Sequence, residues 1–130
     1  MARIALDADL LIAFLDPGDA QHARAVDELR PRLAAGDEMF VGATVYAEVI
    51  VRPIQRGAEG TVDGFLDAAG IRLVPIDRAI ARRAAQLRAQ HRSLRLPDAL
   101  SLAAALANDA VLLTLDKKLN KIADEAQRNS

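Results

Sequence analysis

From Leu94 to Asp116 the chain reads LRLPDALSLAAALANDAVLLTLD, and this stretch leaves few folds open. Pro97 suits the first position of a helix, where its missing N–H is not needed. Asp98 follows in the first turn, where the helix dipole favours a negative charge. Leu100, Ala103, Ala104, Leu106 and Ala107 make the helix almost wholly apolar and rich in small residues, so it packs close to its neighbours. Asn108-Asp109 is a turn. Ala110 to Leu115 is a short apolar run, the pattern of a strand buried on both faces. Asp116 stands just past it. A buried helix feeding a buried strand belongs to a parallel sheet, with strand ends and helix starts on one rim. Open α/β sheets bind their ligands at that rim. Asp98 and Asp116 can meet there although 18 positions separate them.

The rest of the chain fits the same plan. Arg3 to Leu6 reads as a strand ending at Asp7, and Ala8 to Leu15 as a compact apolar helix. Asp16-Pro17-Gly18-Asp19 is a turn. A helix is expected from Ala20 to about Ala35, with Ala23, Val26, Leu29 and Leu33 on one face and Pro31 as a kink or early stop. Met39 to Val41 is a second strand. Thr44 reads as an N-cap of a helix ending at Pro53, and Gln55 to Gly60 as a loop. Thr61 to Ala69 is a helix closed by Gly70, and Ile71 to Ile76 a third strand. Asp77 caps a helix reaching about His91, and a last polar helix from Lys117 to Gln127 should fray. Strands alternating with helices predict an α/β fold with a parallel sheet, helices on both faces and right-handed crossovers.

At 130 residues the chain is expected to be one domain, 1–130, with a core of Ala, Leu, Ile and Val, since aromatic residues are only 3%. It has no cysteine, which excludes disulfides and thiolate metal sites and fits a reducing compartment, here the cytoplasm. Arg3 followed quickly by Asp7 and Asp9 does not look like a signal peptide. No apolar run approaches the roughly 20 residues that span a bilayer, so no membrane role is expected. The net charge of −1 argues against a general nucleic-acid binder, but its distribution matters more. With four candidate site acids set aside, 17 basic residues face 14 acidic ones.

Those four are Asp7, Glu48, Asp98 and Asp116. Singly, Asp7 and Asp116 can be helix caps and Asp98 an ordinary first-turn acid. Glu48 lies within VYAEVIV, where an unpaired buried carboxylate would be costly unless Arg52, four residues on, pairs with it. Jointly they suggest more. Two unit charges about 4 Å apart repel by roughly 4 kcal/mol at an effective dielectric of about 20. Clustered carboxylates therefore need a cation. Oxygen ligands without Cys or spaced His select Mg²⁺ or Mn²⁺, ions that bind phosphate oxygens and activate water.

Four segments, ALDADLLIAFLD, TVYAEVIVRPIQRG, LPDALSLAAALA and VLLTLDKKL, stand in the order of a PIN domain. The chain resembles the VapC-type toxins of bacterial and archaeal toxin–antitoxin pairs. The resemblance implies a PIN-like three-layer fold with a parallel sheet of four or five strands, order 3-2-1-4-5. It implies a Mg²⁺-dependent endoribonuclease leaving a 5′-phosphate and a 3′-hydroxyl, with the family's acidic positions on Asp7, Glu48, Asp98 and Asp116. It also implies a homodimer and a VapB-like antitoxin whose C-terminal segment covers the active site. Asp9 stands where the family often has Asn, Ser or Thr, and is an extra or water-mediated metal contact on that reading. Leu119 stands where an aromatic residue is common. The tail KIADEAQRNS lacks the apolar run of a fifth strand.

Other residues complete the expected site. Thr114 can hydrogen-bond a ligand carboxylate or a phosphate, or be a plain β-branched strand residue. Arg78, Arg82, Arg83, Arg88, Arg92 and Arg95, with Arg52 and Arg56, can grip RNA phosphates or form solvated helix faces, and Arg52 can neutralise an acid in place of metal. His22 and His91 read as surface residues, and Tyr46 as a core or dimer contact. Two alternatives remain. One is a catalytically weak PIN-like partner-binding module. The other is a haloacid-dehalogenase-like phosphatase, suggested by D-x-D in LDADLL, although Leu11 replaces the Thr or Val that should follow and the chain is short for that fold with its cap.

Overall fold

The computed structural model describes residues 2–129. Four strands, β1 (Arg3–Leu6), β2 (Glu38–Gly42), β3 (Arg72–Val74) and β4 (Val111–Leu113), form one sheet of order β3-β2-β1-β4. All three pairings are parallel. Seven helices connect and flank them: α1 (Ala8–Leu15), α2 (His22–Ala35), α3 (Ala43–Gln55), α4 (Glu59–Ala68), α5 (Arg78–Gln90), α6 (Leu96–Ala107) and α7 (Lys117–Arg128).

The period-2 alternation of the strands sorts two cores. Ile4, Leu6, Met39, Val41 and Leu113 face α1 to α4. Ala5, Phe40 and Leu112 face the opposite layer, where Ile80, Ala84 and Leu87 of α5 meet Leu102, Ala103 and Leu119 of α6 and α7. In the register of the central pair, Ala5 lies opposite Phe40. The small residue beside the large one lets α6, itself mostly alanine and leucine, lie close over the middle of the sheet.

Several expectations are corrected. Gly42, not Thr44, is the N-cap of α3, and Thr44 lies inside the first turn. Pro53 does not end α3, which runs on to Gln55. A proline removes one intrahelical bond, and the end is closed by the Arg56 and Ala58 amides bonding the Arg52 and Pro53 carbonyls. Pro31 likewise sits inside α2, which stops at left-handed Gly36. On α2 it is Ala25, not Ala23, that is buried. The helix expected from Thr61 begins at Glu59. Pro97 is the second residue of α6 rather than the first. β3 and β4 are three residues each.

Leu112 and Leu113 are buried in opposite cores, so β4 is covered on both faces as its apolar run predicts, and only Val111 at its start is 48% exposed. β4 is an edge strand: the described sheet ends there with no fifth member. The tail forms α7 instead, and that helix is not simply polar. Leu119, Ile122 and Ala123 are buried in the second core, at spacings of three and four that put them on one face. Gln127 Nε2 also donates to the Ala110 carbonyl at 2.6 Å. His22 is not a plain surface residue, since its Nδ1 lies 2.8 Å from the Ala13 carbonyl and ties α2 to α1. Tyr46 packs against the first core and donates to Asp63 Oδ1 at 2.8 Å, joining α3 to α4. No helix among the described residues is long and apolar enough to cross a membrane.

Candidate metal centre

The strand order reverses at β1, which has β2 on one side and β4 on the other. A crevice therefore opens past the carboxyl end of β1, between chains that leave the sheet in opposite directions. Asp7 is the first residue beyond β1. Its amide still bonds the Leu113 carbonyl at 3.0 Å, extending the ladder by one step. Its position is the N-cap of α1, yet its side chain makes no cap bond. The carboxylate points elsewhere: Oδ2 accepts from Thr114 Oγ1 at 2.8 Å.

Thr114 is the hub of this half of the site. Its hydroxyl also lies 3.2 and 3.3 Å from the two Asp9 carboxylate oxygens and 3.2 Å from the Asp116 amide, which donates to it. Its carbonyl accepts from Asn120 Nδ2 at 3.1 Å. Asp116 serves as a true cap. Its Oδ1 accepts from the Lys118 and Leu119 amides at 2.9 and 3.1 Å. Asp116 and Thr114 thus build the chain turn, and Thr114 also bonds the carboxylate of Asp7.

Asp7 is only 4% exposed and has no cationic partner within 4 Å among the described residues. Burial pushes its carboxyl up from 3.8 to about 6, and the charge of Asp9 adds to the rise. The hydroxyls of Thr114 and Ser101 and the Ala8 amide oppose it.

The other half of the site comes from α3 and α6, which pack against each other. Glu48 is exposed, not buried as its apolar neighbours suggest. Helical spacing turns it outward while Val45 and Val49 turn in. It forms no ion pair with Arg52. Partial desolvation at the rim raises its pKa, with the charges of Asp98 and Asp9 adding and Arg95 opposing. Asp98 is paired with Arg95, whose Nε lies 3.2 Å from Oδ2. Arg95 in turn is held protonated mainly by Asp98, with Asp116 and Glu48 adding. The internal counter-charge is therefore Arg95 and not Arg52.

Asp7, Asp9, Glu48, Asp98 and Asp116 thus act on one another's charge, directly or through Arg95. They do not form a closed cage. Among the described residues no three acidic or imidazole side chains stand close enough to hold an ion as they lie. Two features still suit a hard cation. The donors are all oxygens, and the buried Asp7 charge is met only by hydroxyl and amide groups. Two further hydroxyls, Thr44 Oγ1 and Ser101 Oγ, are buried without a well-formed hydrogen bond. Each is one turn from a site acid, Thr44 four before Glu48 and Ser101 three after Asp98. Unmet buried hydroxyls are uncommon; sequence reasoning reads Thr44 only as a helix cap and passes over Ser101. The i, i+4 and i, i+3 offsets were the signal that could have found them.

A family model of the PIN domain matches residues 4–125. No curated protein matches the chain. Among solved structures it is similar to a toxin–antitoxin complex from Klebsiella pneumoniae, with 25% identity over 88% of each chain and a TM-score of 0.69. It is also similar to VapC20 of Mycobacterium tuberculosis, described as a sarcin-ricin loop cleaving toxin, with 19% identity over 91% of this chain and 93% of that one and a TM-score of 0.70. FitAcB from Neisseria gonorrhoeae gives 20% identity over 93% of each chain and a TM-score of 0.71.

Proposed function

The chain belongs to the PIN-domain family, and on that premise we propose that it is a divalent-metal-dependent endoribonuclease toxin of the VapC kind, restrained by a cognate VapB-like antitoxin. What supports this reading is that carboxylates following β1 and β4 and on α1, α3 and α6 influence one another's charge, with the Arg95 guanidinium paired to one of them. Its domain is 1–130, its place the cytoplasm, and its assembly a homodimer, as the family resemblance implies.

Asp7, Asp98 and Asp116 are assigned as ligands for Mg²⁺ or Mn²⁺, with Glu48 as a further ligand or the group that orients the attacking water. When bound, the ion supplies Lewis-acid polarisation of a phosphodiester and a more acidic water. The chain's own residues do the rest. Thr114 fixes the rotamer of Asp7 by donating to Oδ2. The cap bonds to Oδ1 of Asp116 hold that carboxylate in place and leave Oδ2 for the crevice. Glu48, its pKa raised, is a stronger base than an ordinary carboxylate and faces solvent, where it can accept a proton from water. Asp9 adds negative charge beside Asp7 and is a candidate outer contact. Arg52, Arg56 and Arg92 are exposed and form no ion pair among the described residues, so they are available to phosphates.

The test is cleavage of total RNA in Mg²⁺, in EDTA, and by Asp7→Ala and Asp98→Asn. Cleavage should need the ion and vanish in both variants. Activity surviving either substitution would sink the mechanism. A folded protein that binds its antitoxin yet cuts no RNA under any condition would be the partner-binding module instead.

A further inference from the structure

Of the arginines around the crevice, one is already committed. Arg95 occupies the N-cap position of α6, but its side chain makes no cap bond. It turns back onto the acid three residues later, with Nε 3.2 Å from Asp98 Oδ2. The two partners differ sharply in freedom: the Asp98 side chain is 14% exposed and that of Arg95 is 77% exposed. The guanidinium therefore covers the carboxylate from the solvent side, on a long stem that little else restrains. The charges of Asp116 and Glu48 draw it toward the same place. By contrast Arg52, Arg56, Arg78, Arg82, Arg83 and Arg92 make no salt bridge within 4 Å among the described residues.

We propose that Arg95 is the built-in counter-ion of the acidic crevice, competing with a divalent cation for Asp98 and yielding the carboxylate when a nucleic-acid phosphate draws the guanidinium away. This rests on the reading of Asp98 as a metal ligand. A guanidinium and a hard cation seek the same carboxylate oxygens and repel each other, so the two occupations oppose one another. A phosphate at the mouth of the crevice offers Arg95 another anion. It thereby frees Asp98, and by linkage a bound cation must in turn favour the phosphate. Arg95 is on this account a positioning residue. It makes metal loading weak in the free protein and coupled to the polyanion.

The experiment is a Mg²⁺ titration of the EDTA-stripped, full-length protein, without RNA, followed by melting temperature and by calorimetry. Wild type is compared with Arg95→Gln and Arg95→Lys. Arg95→Gln should melt lower than wild type in EDTA, because the acids lose their counter-charge. It should nevertheless bind Mg²⁺ about two- to fivefold more tightly, the range expected for releasing a solvent-exposed ion pair. Arg95→Lys should fall between the two. A residue with only a structural role would lower stability and leave metal affinity unchanged or weakened. Wild type binding Mg²⁺ with an affinity that Arg95→Gln does not tighten would overturn the counter-ion alone. No Mg²⁺ binding by either protein would overturn the metal reading and this proposal together.

Discussion

The two halves of the crevice are built on opposite principles. The half on β1 and β4 is tied down: buried Asp7 and half-buried Asp9 and Asp116 share the single hydroxyl of Thr114 or its neighbouring amides. The half on α3 and α6 is open, and its acids are restrained by long-range charge and one exposed ion pair. Strand ends are positioned by a ladder that cannot shift by part of a residue. Side chains on a helix face keep rotamer freedom. A site made of both has a fixed wall and an adjustable one.

If that contrast is right, the largest effects come from the fixed wall. Asp7→Asn should abolish RNA cleavage and yet stabilise the EDTA-treated protein. The folded-state pKa of Asp7 is raised from 3.8 to about 6. Its protonation therefore contributes stability that is fully present below 3.8 and is lost as pH rises through about 6. At about 1.4 kcal/mol per unit the loss reaches up to about 3 kcal/mol. Denaturant unfolding at pH 4 and pH 7 should show it in wild type, over and above the change in Asp7→Asn. Equal pH dependence in the two proteins would mean that Asp7 is no buried charge.

Thr114→Val tests the hub. Losing a hydrogen bond to a buried carboxylate should cost about 1–3 kcal/mol in denaturant midpoints at pH 7 and lower cleavage by at least tenfold. A variant as stable and active as wild type would show that the wall is held by the sheet alone. Asp116 separates its two tasks: Asp116→Ala should lose about 1 kcal/mol of stability through the cap, whereas Asp116→Asn should keep the cap and lose activity. If both variants retained cleavage, the ligand assignment would fall.

The smallest structural effects belong to the open half. Glu48→Gln should leave the melting temperature nearly unchanged, within about 0.5 kcal/mol as for other exposed positions, while depressing the rate of cleavage. Ser101→Ala removes a buried hydroxyl that has no well-formed hydrogen bond but helps hold the Asp7 charge, so at pH 7 it should cost no more than about 1 kcal/mol. A clear loss of Mg²⁺ affinity in Ser101→Ala would move that hydroxyl into the site.

Much of this arrangement was legible before the fold was seen. The apolar runs ending at Leu6 and Leu115 each lead straight to an aspartate, and alternation of strands with helices points to a parallel sheet. What misled was local context taken as burial. VYAEVIV suggests an interior glutamate, but only Val45, Val49 and Ile50 of that helix are buried, and Glu48 is on the outer face. VLLTL suggests a covered strand, and Leu112 and Leu113 are buried on opposite faces, but the run does not show that β4 is the last strand. The i, i+4 spacing of Glu48 and Arg52 suggests a pair. Asp98 instead takes Arg95, the N-cap residue three positions before it.

By itself the order of residues determined the α/β class, the parallel strands and the list of acids that end them, because hydrophobic period and turn chemistry act over a few residues. The tertiary structure alone decided which hydroxyl anchors which carboxylate and where the sheet stops. Those outcomes depend on distances between segments up to 107 positions apart. Such distances are set by how closely α6 settles on the sheet and whether α7 has an apolar face to dock, quantities that no short window of sequence contains.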